Sequence, residues 1–246
     1  MKFNAEDATF KTVSWIKDWF LKNGKECNAV IGISGGKDSS IVAALLAEAL
    51  GKDRIIGVIM PNGSNRDIDM ALLLIRHLDI KYYIIDIKEA YDSLIKKMQN
   101  SLGDISDNAK INLAPRLRMS TLYGVAQSCN GRVANTCNYS EDYVGYSTRY
   151  GDSAGDFSPI SSFTTKEVRE IGHYLKLPNE LVEKVPDDGI SGMSDEEKLG
   201  FSYATLDKYI RTGIIDDMSV KKKIDDLHEK NLFKLRYMDS FKYFED

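Results

Sequence analysis

The chain is poor in the residues that mark unusual protein classes. Its 246 residues include three cysteines, five prolines and three histidines. The cysteines, Cys27, Cys129 and Cys137, are odd in number and show neither C-x-x-C nor Cys/His spacing. That excludes a disulfide framework or a zinc ribbon and points to a reducing compartment, the cytoplasm. Scarce proline and 18 glycines leave no collagen-like or linker-like stretch, while 43% hydrophobic residues suffice for a buried core. There is no excess of positive charge either: 33 Lys and Arg face 37 Asp and Glu, a net charge of −4. No overall positive field exists to gather a nucleic acid. Nowhere do about 18 apolar residues run together, the length a membrane-spanning helix needs. Residues 1–24 lack an apolar signal core and a small-residue cleavage site. The expectation is a soluble protein with no membrane and no nucleic acid among its partners.

What is present alternates. Short apolar runs at 28–34, 54–60, 82–87 and 132–136 read as strands, and segments of helical periodicity lie between them. Residues 7–22, 39–51, 67–78, 87–98, 114–128, 166–177 and 195–210 fit helices. The aromatic stripe of Trp15, Trp19 and Phe20 in the first reads as packing. Continuous apolar strands separated by helices predict an α/β fold: a doubly wound, mostly parallel sheet with helices on both faces. No internal repeat or linker interrupts it, so residues 1–246 are expected to form one domain. Residues 138–165, rich in Gly, Asp, Ser, Thr and Tyr, read as an unusually long irregular stretch, and 186–194 as a polar loop.

The first strand runs into Ser34, Gly35, Gly36, Lys37, Asp38, Ser39 and Ser40, and then into a helix. One reading is a tight turn with Ser39 as a helix cap. The other is a phosphate cradle, since glycine permits unusual backbone angles and a helix start offers unpaired N–H groups to an anion. A dinucleotide-binding fingerprint is absent, and a Walker loop would place Ser or Thr after the lysine where Asp38 stands. A carboxylate there repels phosphate unless a divalent cation intervenes. Asp38 therefore predicts a magnesium pyrophosphate. Thr136, at the end of the fourth strand, is placed to meet phosphate, and Glu141 is the nearest downstream carboxylate able to complete a magnesium site.

The SGGKDS loop resembles the pyrophosphate loop of the ATP pyrophosphatases, of adenine nucleotide alpha hydrolase-like fold. The segment from Asn135 to Glu141, the run Gly145 to Asp152, then Asp156 and Pro159, resembles the NAD synthetase branch of that superfamily. Arg116, Arg118, Met119, Leu122 and Tyr123 fit its R-x-R-M-x-x-L-Y helix. Ser194, Asp195, Glu196, Leu199 and Gly200 fit its S-D-E-x-x-L-G, and Asn231, Phe233 and Lys234 its basic carboxyl-terminal element.

The resemblance implies ammonia-dependent amidation of deamido-NAD with ATP, through an adenylate, giving NAD, AMP and diphosphate. It assigns ATP to Ser34, Gly35, Gly36, Lys37, Asp38, Ser39, Ser40, Met60, Asn65, Thr136 and Lys166, and Mg2+ to Asp38 and Glu141. Deamido-NAD falls to Arg116, Tyr123, Tyr146, Arg149, Asp156 and Lys234. Asp152 and Asp156 are both candidates for handling the ammonium proton, with Asp38, Thr136 and Glu141 completing the catalytic set. A homodimer is implied, the aromatic first helix being one way to bury its surface. No glutaminase domain precedes the first strand, so ammonia is expected free or from a separate amidase.

The sequence departs from the family pattern in three places. Ile59 stands where a basic residue is common, Asn135 replaces the glycine before Thr136, and the family lysine falls on Thr165, one residue before Lys166. Rival readings are a tRNA-modifying pyrophosphatase and a nucleotide sensor that no longer reacts.

Overall fold

The computed structural model describes residues 3–63, 68–184, 194–236, 238–241 and 243. Its strands are β1 (Asn28–Gly32), β2 (Ile55–Ile59), β3 (Lys81–Ile84) and β4 (Gly131–Val133), joined in the order β3-β2-β1-β4. Every neighbouring pair is parallel, with Val30 facing both Ile56 and Val133. The helices are α1 (Ala5–Asn23), α2 (Lys37–Leu50), α3 (Ile68–Leu78), α4 (Lys88–Leu102), α5 (Asp107–Ser128) and α6 (Tyr139–Val144). Then follow α7 (Thr165–Tyr174), α8 (Asn179–Val182), α9 (Asp195–Leu199), α10 (Tyr203–Thr212) and α11 (Met218–Asn231).

Successive side chains of a strand point to opposite faces, and here each face has its own core. Ala29, Ile31, Ile55 and Ile59 join Ile16, Phe20, Leu45, Leu74 and Ile171 on the side of α1, α2, α3 and α7. Val30, Ile56, Val58 and Val133 meet Ala114, Met119, Leu122 and Ala126 of α5 on the other. The two-sided covering is why the central strands are apolar throughout. A third cluster, Val144, Leu199, Phe201, Tyr203, Leu206 and Ile224, unites α6, α9, α10 and α11 beside the sheet.

The strands stand where the apolar runs predict them, to within a few residues at their ends. Of the aromatic stripe of α1, two residues pack, Phe20 fully buried and Trp19 stacked on Phe157 with centroids 4.6 Å apart, while Trp15 is exposed. Three expectations are corrected. Residues 138–165 are not wholly irregular, since α6 lies within them, capped by the Asn138 side chain. Residues 195–210 form two helices because Gly200 adopts φ +72°, a left-handed conformation that ends α9. A further helix, α11, forms where no periodicity had been noted. Among the described residues no helix is long and apolar enough to cross a membrane.

From β1 the chain winds outward to β2 and β3, then returns to lay β4 on the other side of β1. The carboxyl ends of β1 and β4 thus flank the point where winding direction reverses, the place where open α/β sheets leave a crevice for ligands. The glycine turn leaves β1 at this point, and Thr136 follows β4 there.

Candidate active site

Gly35, at φ +75°, makes the turn between β1 and α2. The serines stiffen it: Ser34 Oγ accepts from the Gly36 N–H at 3.2 Å, Ser39 Oγ accepts from the Ser34 N–H at 3.3 Å, and Ser40 Oγ donates to the Gly36 carbonyl at 2.7 Å. Ser39 does not cap the helix: the N-cap is Gly36, which has no side chain to accept from the first-turn amides of α2. The helices α5, α6, α7, α9, α10 and α11 are capped by a side chain. The first-turn amides of α2 are left to an anion.

Lys37, the first residue of α2, is buried and turned inward. Its Nζ lies 2.6 Å from Asp38 Oδ2 and 3.9 Å from Glu141 Oε1. Burial opposes its charge, but the Asp38 and Glu141 carboxylates outweigh that and hold its pKa above the ordinary lysine value. Glu141 is pushed the other way from an ordinary carboxylate, upward, first by burial and then by the negative charge of Asp38. Asn138, fully buried, ties the two acids together. Its Nδ2 donates to Asp38 Oδ1 at 3.1 Å, while its Oδ1 accepts from the Glu141 N–H at 3.1 Å. Two protein carboxylates suit magnesium, which keeps several waters and takes its remaining oxygens from substrate phosphates.

Thr136 is half-buried just beyond β4. Asn135, beside it, is a hub: its Nδ2 donates to the carbonyls of Asp152 and Ala154 at 2.8 and 3.0 Å, and its Oδ1 accepts from Cys137 N–H and Ser158 Oγ, each at 2.9 Å. The side chain that replaces glycine here therefore pins the loop carrying both candidate acids. Cys137 is buried against the Asp152 carbonyl, and burial raises its pKa well above the ordinary thiol value, so it is a packed thiol. Asp152 accepts from the Thr148 N–H at 2.8 Å, holding the turn it sits in, and crowding by the protein around it raises its pKa. Asp156 extends the sheet edge. Its Oδ2 accepts from the Val133 N–H at 2.7 Å, and Tyr123 donates to its Oδ1 at 3.4 Å. Burial, then Asp156, pushes the Tyr123 phenol up to about 12.

The residues assigned to the second nucleotide gather around the loop after α6. Arg116 donates to the Arg149 carbonyl at 3.3 Å, Arg149 lies 5.1 Å from the Phe233 ring, and Lys234 Nζ donates to the carbonyls of Gly145 and Ser147 at 2.7 and 3.2 Å. Tyr146 donates to Asp195 at 3.0 Å. The Met60 carbonyl accepts from Arg118 at 3.0 Å. Lys166 is not turned to the cradle: its side chain is 77% exposed and pairs with Glu170, while Thr165 is buried and donates to Asn138 at 3.4 Å. Asn65 lies outside the described residues, as do residues 186–193 of the expected polar loop.

Residues to which the sequence assigned no role also gather here. Asn138 had a visible signal, an Asn followed three residues later by Glu141 at the start of a helix. Asp195 stood in the S-D-E-x-x-L-G match but with no role or partner assigned, and Tyr203 had no signal, because α9 and α10 meet α6 only in the fold. The Tyr203 phenol is pushed far up, first by burial and then by Glu141, Asp195 and Asp38. Asp142 lines a cavity of about 330 Å³ with Asn135, Asp156, Ser158 and Lys234. Burial, then Asp152, pushes its carboxyl up to about 6.

This geometry has known counterparts. The family model described as NAD synthase matches residues 9–243. An NH(3)-dependent NAD(+) synthetase of Carboxydothermus hydrogenoformans is 37% identical over 87% of this chain and 88% of its own. The structure of an NMN synthetase from Francisella tularensis aligns with a TM-score of 0.90 at 31% identity, covering 98% of this chain and 100% of that one. An NH3-dependent NAD synthetase from Campylobacter jejuni, in complex with the nitrate ion, aligns with a TM-score of 0.79 at 30% identity over the same shares. With a family-model match over nearly all its length and relatives of this identity and coverage, the chain belongs to the NAD synthase family and is an enzyme of the ligase class.

Proposed function

We propose that the chain converts deamido-NAD, ATP and ammonia to NAD, AMP and diphosphate, with Mg2+ held by Asp38 and Glu141. The observation that carries this reading is the pairing of those two acids, from distant parts of the chain, beside an uncapped helix start. A nicotinate carboxylate cannot expel oxide when ammonia attacks. Its oxygen first attacks the α phosphorus of ATP, the bond to the β phosphate oxygen breaks, and diphosphate leaves. Ammonia then adds to the carboxyl carbon, AMP departs, and one proton is lost. When bound, magnesium neutralises charge developing on the departing diphosphate. The Gly35–Gly36 turn and the first amides of α2 hold the diphosphate oxygens, and Thr136 supplies a hydroxyl from the opposite wall. Asp152 and Asp156 stand as the alternative proton acceptors. Arg116, Tyr123, Tyr146, Arg149 and Lys234 take the deamido-NAD.

A second reading concerns the acceptor. The chain superposes over its whole length, at a TM-score of 0.90, on a protein that is an NMN synthetase. Nicotinate mononucleotide carries the same reacting carboxylate and lacks only the adenylate half. The experiment gives the pure protein magnesium, ATP and ammonium with either acceptor and follows amide product and AMP separately. Preference for the dinucleotide in kcat/KM supports the first reading, and preference for the mononucleotide supports the second. AMP formation that depends on neither acceptor overturns both.

A homodimer is part of the proposal. Tyr82, Tyr83 and Ile84 of β3, Leu102 at the end of α4 and Ile111 of α5 leave apolar side chains exposed, which a partner subunit would cover. Helix α1 spends Ile16, Trp19 and Phe20 on the chain's own core but leaves Phe10, Trp15 and Leu21 exposed, so it remains a second surface that a partner could cover. The three free thiols fit the cytoplasm.

A further inference from the structure

Resting on the reading that Asp38 and Glu141 hold the metal, we propose that the Lys37 ammonium and the divalent cation are alternative occupants of this carboxylate pair. The cation then loads together with a phosphate group that takes the lysine over. The Lys37 side chain is only 1% exposed, and its Nζ reaches both acids, at 2.6 Å and 3.9 Å. Asp38 has its other oxygen in the hydrogen bond from Asn138, so the oxygen facing Lys37 is the one a metal would take. A divalent ion bridging the pair would stand within a few ångströms of the ammonium. Like charges so close in a recess shielded from water repel strongly.

The lysine has somewhere to go. It is the first residue of α2, on the turn whose amides face the incoming diphosphate, and its flexible stem lets the ammonium pair with a phosphate oxygen instead. The Tyr203 ring bounds the same recess, 6.0 Å from Nζ, and among the described residues its buried hydroxyl makes no hydrogen bond. It offers the displaced ammonium or the phosphate a further polar contact. While no phosphate is bound, Lys37 keeps the two acids neutralised and close; when one arrives, the lysine changes partner and the acids receive the metal. Metal and nucleotide binding are then coupled, each raising the other's affinity.

Manganese is the probe, its binding followed by electron paramagnetic resonance on the full chain without nucleotide. Lys37→Met should bind Mn2+ at least tenfold more tightly than the wild type, and Lys37→Arg no more tightly than the wild type. By calorimetry at saturating Mg2+, Lys37→Met should bind a non-cleavable ATP analogue at least fivefold more weakly. Should Lys37→Met fail to fold by circular dichroism, Lys37→Gln carries the same expectations. Unchanged or weaker nucleotide-free Mn2+ binding in a folded, neutral variant overturns the inference and leaves the metal site standing. Absence of Mn2+ binding by every protein, even with the ATP analogue, overturns it together with the metal assignment beneath it.

Discussion

Asn138 holds both of the proposed metal ligands, through a hydrogen bond to the Asp38 side chain and another from the Glu141 backbone. Asp38→Asn and Glu141→Gln should each reduce turnover by about 100-fold or more, the scale of losing electrostatic stabilisation of a leaving group. Melting temperature should move by only a few degrees, so calorimetry beside steady-state kinetics separates catalysis from folding. Asp142 makes a prediction of opposite kind. Its carboxyl, lifted from the ordinary 3.8 to about 6, keeps a proton in the folded chain that the unfolded chain releases. Stability from this source is therefore fully present below about pH 4, falls as pH rises through about 6, and is then flat, a total of roughly 3 kcal/mol at most. Asp142→Asn should stabilise the chain more at pH 7.5 than at pH 5, as read by denaturant unfolding at both. At this scale the sequence reveals residue types whose chemistry is unusual where they stand, such as Asp38 after a glycine turn. It hides partners such as Asp195, whose role depends on α9 reaching Tyr146.

Elements were legible in proportion to their length and periodicity. The four apolar strands and long helices such as α1, α2 and α5 carry patterns that one or two substitutions would not erase. Helix α6 spans six residues, too few for a hydrophobic period, and it exists because Asn138 caps it and Val144 packs with Leu206 and Ile224. Its end at Gly145 is where α11 docks. Gly145 has φ +66°, and a Cβ there would lie 2.1 Å from Asn231 Cβ. Gly145→Ala thus combines backbone strain with a clash that only movement of α11 can relieve. It should cost about 2 kcal/mol or more. Because Lys234 follows α11 and binds the Gly145 carbonyl, the same variant should raise KM for the nicotinate nucleotide more than it lowers kcat. Denaturant unfolding and initial-rate kinetics check the two parts.

At the scale of the whole molecule, the exposed apolar side chains of β3, α4 and α5 predict that the chain sediments as a dimer. The double variant Ile84→Lys, Leu102→Lys should sediment as a folded monomer, checked by analytical ultracentrifugation with circular dichroism. A monomeric wild type at micromolar concentration would remove the interface. The parallel sheet itself was legible because the central strands β1 and β2, covered on both faces, must be apolar along their length, and because βαβ connections of this length leave parallel pairing as the natural outcome. The glycine turn was legible too, since backbone angles that only glycine readily adopts and a helix start that attracts anions are local properties of a few consecutive residues. Strand order was not. That β4 lies beside β1 rather than beyond β3 depends on α5 packing across the sheet, a sum of many weak apolar contacts between distant residues. That one choice makes the crevice, sets Glu141 against Asp38, and turns Lys37 inward between them while Lys166 faces water. Local chemistry is written in short stretches of sequence; which stretches meet is decided only when the core is buried.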